Sequence, residues 1–592
     1  MKKPIKYILF SLGGVVVLVA LAATVFALTF DPNRYKGEIE RLASERTGRT
    51  LKLGGDLKLA FYPSLGASVA NVTFSERDGR EQFLSLGDAH ISVALLPLLH
   101  GQMIVDRVRI SGLKARIVKG KDGRYNFSDL IEPKDEKETG KAAAEKKKAQ
   151  GAPVVFDIAG VDLDKSSILY RDLNSGQDIT LDDLKLHTGR VAENASGKIE
   201  FSTRAKRNKP ALEAAVALNG AYSLKPDAIG LDFSAKIDES TIKGKLGIGR
   251  AAAPSYSFDL AIDRLNLDHY LASSEKKKPE PGKSEPPKKE EAKEDAPVDL
   301  SGLKGLNAKG QLQVGNLQVQ GLKLANVKAE IRAANGRAEV SPHSANLYDG
   351  SLTGALSLDS NGNRIAAKET LSNISVGPLL RDFAQQDKLE GRGNIALDVT
   401  SAGPSVNAIK RALAGTAKLN LKDGAIKGVD LAGILRKTKS VLGRAGDQAG
   451  QAADSKDRTD FSELSASFAI KNGVAHNDDL DAKSPLLRVT GSGDIDIGKS
   501  SINYVAKPTV VASAKGQGGP ELEQLSGLTV PVRLVGPFDA MKYEVDYRAV
   551  AGNLAQSRAG EKVKEGIEKN KDKIQEKVQD QVKDRLKGLI GR

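Results

Sequence analysis

The stretch Gly493-Asp494-Ile495-Asp496-Ile497-Gly498-Lys499-Ser500 has the spacing of a phosphate-binding loop, G-x-x-x-x-G-K-S. A phosphate cradle needs a flexible run of backbone amides that opens a helix. Here the inner residues read Asp-Ile-Asp-Ile, with two carboxylates that repel phosphate, and Ile502-Asn503-Tyr504-Val505 is again strand-like. The stretch predicts a strand and a turn. The six histidines (His90, His100, His187, His269, His343, His476) show no i, i+2 or i, i+4 pair and no H-E-x-x-H, so hydrogen-bonded side chains are expected rather than zinc ligands. Asp162/Asp164 and Asp478/Asp479 come nearest to paired carboxylates for acid–base work, and ordinary solvent-facing acids account for both. There is no G-x-S-x-G elbow, and without cysteine there is no thiolate, disulfide or cysteine-bound metal. The reading assigns no catalytic, metal or cofactor residue. The chain is expected not to be an enzyme.

Position in the cell follows from a different kind of residue. Ile8 to Leu28 carries no charge, and at about 1.5 Å per residue it reaches roughly 32 Å, the thickness of a bilayer's hydrocarbon core. Lys2, Lys3 and Lys6 precede it and the first acid, Asp31, follows, so residues 1–7 are expected in the cytoplasm, 8–29 in the membrane and the bulk on its far side. A cleaved signal peptide is the rival, with Ala20-Leu21-Ala22 as a cleavage site, although a signal core is usually only ~7–15 residues long. The net charge of +14 raises nucleic acid as a partner. Aromatics are 5% with no Trp, too few for base-stacking platforms, so no nucleic acid is expected and an anionic lipid surface is the better match.

Beyond the anchor, Asp31-Pro32 reads as a helix start, and Ile39, Leu42 and Ala43 form a short amphipathic helix that stops before Gly48. Leu57 and Leu59 then begin a long series of period-two alternation, the pattern of strands with one apolar and one wet face. The divisions are an N-terminal β module over 30–133, a charged linker over 134–152, a middle β module over 153–272 and a disordered Pro/Lys/Glu linker over 273–297. The third module, 298–549, alternates most clearly: Leu312/Val314, Leu322/Leu324, Leu352/Leu356/Leu358, Ile395/Leu397, Leu419/Leu421, Phe468/Ile470, Leu487/Val489, Ile495/Ile497 and Val532/Leu534. Turns are expected at Asn335-Gly336, Asp423-Gly424 and Asn472-Gly473. Leu431, Ile434, Leu435, Thr438, Val441 and Leu442 have helical spacing. In 550–592 a stripe of Val563, Ile567, Ile574, Val578, Val582, Leu586 and Leu589 reads as an amphipathic helix. It either packs on the chain's own β-body or lies on a membrane or partner; a disordered tail is the third reading.

Several of these residues resemble a known family. Asp31-Pro32-Asn33, Thr47-Gly48-Arg49, Gly55-Asp56-Leu57 and Phe61-Tyr62-Pro63-Ser64-Leu65-Gly66 are similar to the start of AsmA proteins, which are inner-membrane-anchored envelope proteins of Gram-negative bacteria. Tyr348–Gly354, Asp423–Leu431 and Thr529–Pro537 resemble their carboxyl-terminal part. The resemblance implies an elongated, curled antiparallel sheet, β-taco-like, that carries phospholipid toward the outer membrane in an open groove. Alternation alone allows a closed sandwich equally well. In the groove reading, the alternating aliphatics from Leu57 to Leu534 named above form the lipid-contact surface, and the expected partners are the inner membrane and phospholipid cargo. The outer membrane or envelope assembly proteins are further candidates, reached through the final helix. An assembly factor acting on outer-membrane proteins is the alternative function, and a spacer without cargo the third.

Overall fold

The computed structural model describes residues 30–60, 64–77, 79–94, 104–131, 157–209, 211–251, 253–271, 297–435, 451–452, 457–511 and 526–545. The expected anchor (8–29), the charged linker (134–152), almost all of 273–297 and the final helix (550–592) lie outside them. No helix among the described residues is long and apolar enough to cross a membrane. The chain is mainly β, with a few short helices, and divides near Arg264 into two units, each holding a large curled sheet.

The first unit opens as its sequence suggests. Asp31 Oδ1 accepts from the Asn33 amide at 3.0 Å, a 3-10 turn spans Pro32–Tyr35, and the helix Lys36–Thr47 ends where Gly48 turns left-handed at φ 71°. Strands Ser64–Ser75, Gln82–Ala94, Ile104–Ser111 and Lys114–Lys119 precede the charged stretch, and Val161–Asp172 to Ser255–Asn266 follow it. The antiparallel expectation needs correcting here. Ile104–Ser111 and Lys114–Lys119 both pair parallel to Val161–Asp172, so the sheet is mixed. A parallel neighbour requires a crossover of a dozen or more residues, and the chain between Lys119 and Val161 supplies one. The long strands from Val161 onward pair with one another antiparallel in chain order.

In the second unit twelve strands follow one another as an antiparallel meander, from Ala308–Val319 to Val532–Pro537. Asn335-Gly336 (φ 55° and 78°) and Asn472-Gly473 (φ 48° and 75°) make the tight turns expected of them. Asp423-Gly424 does not. Asp423 is left-handed at φ 48°, yet the strand Ala414–Lys427 runs straight through it, with the pairing slipping between Glu390 and Arg392 opposite. That is a β-bulge, which uses the same conformational freedom as a turn without reversing the chain. The phosphate-loop look-alike is a strand end and turn joining Leu487–Asp496 to Ser501–Val510, and Lys499 Nζ lies 3.3 Å from Asp496.

The deepest charged group among the described residues of the first unit is Arg49, 2% exposed. Its guanidinium reaches both Asp129 oxygens at 2.6 and 3.2 Å and the Ser75 carbonyl at 3.3 Å, and lies over the rings of Phe74 and Phe83. The planar fork ties the helix Ser128–Ile131 to the first strands, and it holds the Asp129 carboxyl below the ordinary carboxylate range. Arg49→Ala leaves the half-buried Asp129 carboxylate without its partner and is expected to cost about 2–3 kcal/mol. The loss should be read in the full chain as faster hydrogen exchange over residues 50–53 and 72–75, with Arg49→Lys recovering only part.

Candidate functional site

Side chains that face each other across an antiparallel pair lie on one face of the sheet, so the registers identify what each face displays. In the second unit one row reads Gly310, Ile331, Val340, Leu356, Ala367, Val399, Gly415, Ile470, Ala475, Ile495, Ile502 and Gly536. It crosses all twelve strands without a polar residue. The next row on that face is Leu312, Ala329, His343, Gly354, Glu369, Leu397, Ala417 and Phe468. The opposite face carries Lys309, Arg332, Glu339, Ser357, Ala366 and Thr400. The first unit repeats the pattern with Val69, Ala89, Ile110, Leu163, Leu186, Phe201, Leu218, Ala235, Ile242 and Ile262.

Two apolar cavities lie along this face of the second unit. One, about 610 Å³, is lined by Leu312, Leu322, Leu324, Leu352, Leu356, Ile395 and Leu397, together with Ile331, Val340, Leu371 and Phe383. The seven aliphatics named first are predicted contact residues, and all are half-buried, not sealed in. The other, about 450 Å³, is lined by Leu419, Phe468, Val489, Ile495 and Leu534 of the predicted set, with Phe461, Leu480 and Tyr504. Leu380, on the helix Val376–Ala384, lines both, so this helix stands where the cavities meet. Tyr348 Oη donates to Asp382 Oδ2 at 2.8 Å and holds the helix's C-terminal end, while burial and that carboxylate push the tyrosine up to about 12.

Other predicted residues lie elsewhere. Val314, Leu421, Leu487 and Val532 are 2% exposed or less, inside packed core, and Ile470 is also buried. Leu358 and Ile497 are half-buried beyond both cavities. Leu57 and Leu59 belong to the first unit; Leu59 is exposed on the short strand Lys58–Ala60, and the Leu57 amide is held by Asn33 Oδ1 at 2.8 Å. The core that takes up Leu421, Leu487 and Val532 also contains Leu431, Ile434 and Leu435 and, later in the chain, Leu528 and Val530. The described part of the predicted 431–442 helix is Leu431–Leu435.

One polar feature of the floor escapes sequence reading. His343 Nε2 meets Glu369 Oε2 at 2.9 Å across the intervening strand, where Gly354 leaves room; a side chain there would strike the carboxylate. His343 Nδ1 faces the Val340 carbonyl at 3.1 Å, an acceptor, so Nδ1 carries a proton and Nε2 and Oε2 turn their polar atoms on each other. Glu369 sits in the inward register of Ala367 and Leu371, and that was the available signal. Three of the other described histidines also have protein partners: Asp162 for His187, Asp494 for His476, the Tyr270 ring for His269. Among the described residues no group of acids and histidines could hold a metal ion.

Burial pushes the Glu369 carboxyl above the ordinary range, and the weaker opposing influence is the bond from His343. A folded-state value raised above the unfolded one adds stability that is complete below about 4.3 and is lost as pH rises through the folded value. Glu369→Gln lacks this dependence. Wild type should therefore gain stability relative to Glu369→Gln on going from pH 7 to pH 4, as measured by denaturant unfolding at both.

The model of the AsmA family matches residues 1–229 and 223–480. Protein AsmA of Escherichia coli (strain K12) is 21% identical over 582 residues, which cover 90% of this chain and 92% of that protein. No solved structure matches the chain. With the family model spanning most of its length, the chain belongs to the AsmA family.

Proposed function

We propose that this is a single-pass inner-membrane protein whose periplasmic part carries phospholipid acyl chains along the apolar face of the second unit, toward the outer membrane. It is not an enzyme in this reading. The observation that carries the proposal is the unbroken row from Gly310 to Gly536 with two apolar cavities along its face. At ~4.8 Å between strands, twelve strands extend about 53 Å along the sheet, several times the ~15 Å of one leaflet's hydrocarbon. Each CH₂ removed from water contributes roughly 0.8 kcal/mol, so tails load readily. Neighbouring positions offer similar aliphatic contacts, so a tail moves along the row at little cost.

The uncharged stretch Ile8–Leu28 with its preceding lysines supports the membrane address, and family membership supports a role in the envelope. Purified full chain in nanodiscs, transferred to native mass spectrometry, should release bound phospholipid. Leu356→Asp, which sets a carboxylate in the larger cavity, should lower lipid occupancy about tenfold, the equivalent of ~1.4 kcal/mol. Thr353→Asp, on the opposite face of the same strand, should leave it unchanged. Equal lipid occupancy in both variants, with circular dichroism unchanged, defeats the proposal.

A further inference from the structure

The helix Lys36–Thr47 is turned the wrong way for a globular protein. Residues four and three apart share a helical face, and the face toward the sheet carries Lys36, Glu40, Ala43 and Thr47. Lys36 Nζ lies 3.4 Å from Asp56, and Glu40 Oε1 accepts from the Leu53 amide at 2.7 Å. A second face carries the exposed charges Glu38, Arg41 and Glu45, with Arg41 paired to both acids. The third face is apolar and points outward: Tyr35, Ile39 and Leu42 are 53%, 41% and 41% exposed. A surface helix ordinarily turns its apolar stripe to the core.

Its position says what covers that stripe. The uncharged run ends at Leu28, and Phe30, two residues or about 7 Å further on, stacks on Tyr35 with ring centroids 5.7 Å apart. The membrane exit expected from the sequence is thereby held at the head of the stripe. Aromatic rings are favoured at the headgroup level, and Arg34 and Arg46 at the two ends of the helix suit anionic headgroups. We propose that Lys36–Thr47 lies in the interface of the bilayer that holds the anchor, with Tyr35, Ile39 and Leu42 in the headgroup–acyl boundary. The first strands, tied to this helix through Glu40 and Asn33, are thereby held at the membrane surface. The inference rests on the anchored reading above and adds to it a defined contact with the bilayer.

The absence of cysteine makes the test direct. Ile39→Cys, Leu42→Cys and Glu45→Cys full chains carry one fluorophore each, in nanodiscs of phosphatidylcholine and phosphatidylglycerol with or without nitroxide on the acyl chains. Labels at 39 and 42 should be quenched by the acyl nitroxide roughly fivefold more strongly than the label at 45, and protected from aqueous iodide, as for side chains sunk ~5–10 Å into the interface. Iodide access at 39 and 42 equal to that at 45 overturns the inference. Protection from both quenchers also overturns it, because protein rather than lipid then covers the stripe. Native mass spectrometry on the same preparations separates the two proposals: bound phospholipid without nitroxide quenching removes only the interfacial helix, and quenching without bound phospholipid removes only the cargo. Loss of the chain from the bilayer on alkaline washing removes the anchor and the helix contact together.

Discussion

The second unit depends on inter-strand register. A strand's side chains alternate with a period of two, so a slip of one residue would exchange Leu356 for Ser357 in the apolar row and put a hydroxyl where the floor must be dry. Twelve strands have to agree for the row from Gly310 to Gly536 to exist. Tight turns with left-handed residues fix part of this, at Asn335-Gly336 and Asn472-Gly473. Bulges fix more. The pairing slips between Ala325 and Lys328, between Leu371 and Ile374, and between Glu390 and Arg392, with Asn326, Asn373 and Asp423 left-handed beside those slips. A bulge bends and further twists its strand, so bulges on strand after strand at one level curl the sheet and turn its apolar face inward. The curl and the register thus come from the same residues.

A curled apolar face can close on itself or stay open, and among the described residues this sheet does both. Where the segments around Leu431–Leu435 and Leu528–Val532 cover the later strands, Leu435, Leu528, Val530 and Val532 have no exposure at all. Over the strands from Ala308 to Ala402 the only helix standing on the floor among the described residues is Val376–Ala384, and Leu312, Leu352, Leu356 and Leu397 keep part of their surface. The difference is one of supply. Alternation makes an apolar face on every strand, whereas among the described residues covering segments lie over only some of them.

That asymmetry also sets what could be read from the residues in advance. Alternation showed which side chains share a face, so the strand character of the chain was legible, as were the helix caps at Asp31 and Gly48. What covers a face depends on segments distant in sequence, and for that reason Leu356 at a cavity and Leu487 in the core looked alike. The parallel pairing of Lys114–Lys119 with Val161–Asp172 was hidden because strand direction depends on the path of the crossover. Asp423-Gly424 has turn chemistry that a bulge uses equally well. The His343–Glu369 pair was missed because its partners are two strands apart and meet only over Gly354.

A face that works through apolar area constrains the class of residue at each position more than its identity. Leucine, isoleucine and valine exchange at modest cost where packing is loose, and the floor over Ala308–Ala402 leaves its aliphatics half-open. Identity of 21% maintained across 90% of the chain is compatible with that tolerance. The His343–Glu369 pair obeys a stricter rule. A single unpaired charge on the floor would be costly to desolvate, so histidine, glutamate and the glycine between them are only useful together. This pair therefore has to be a complete bridge, whereas each of its apolar neighbours can change alone.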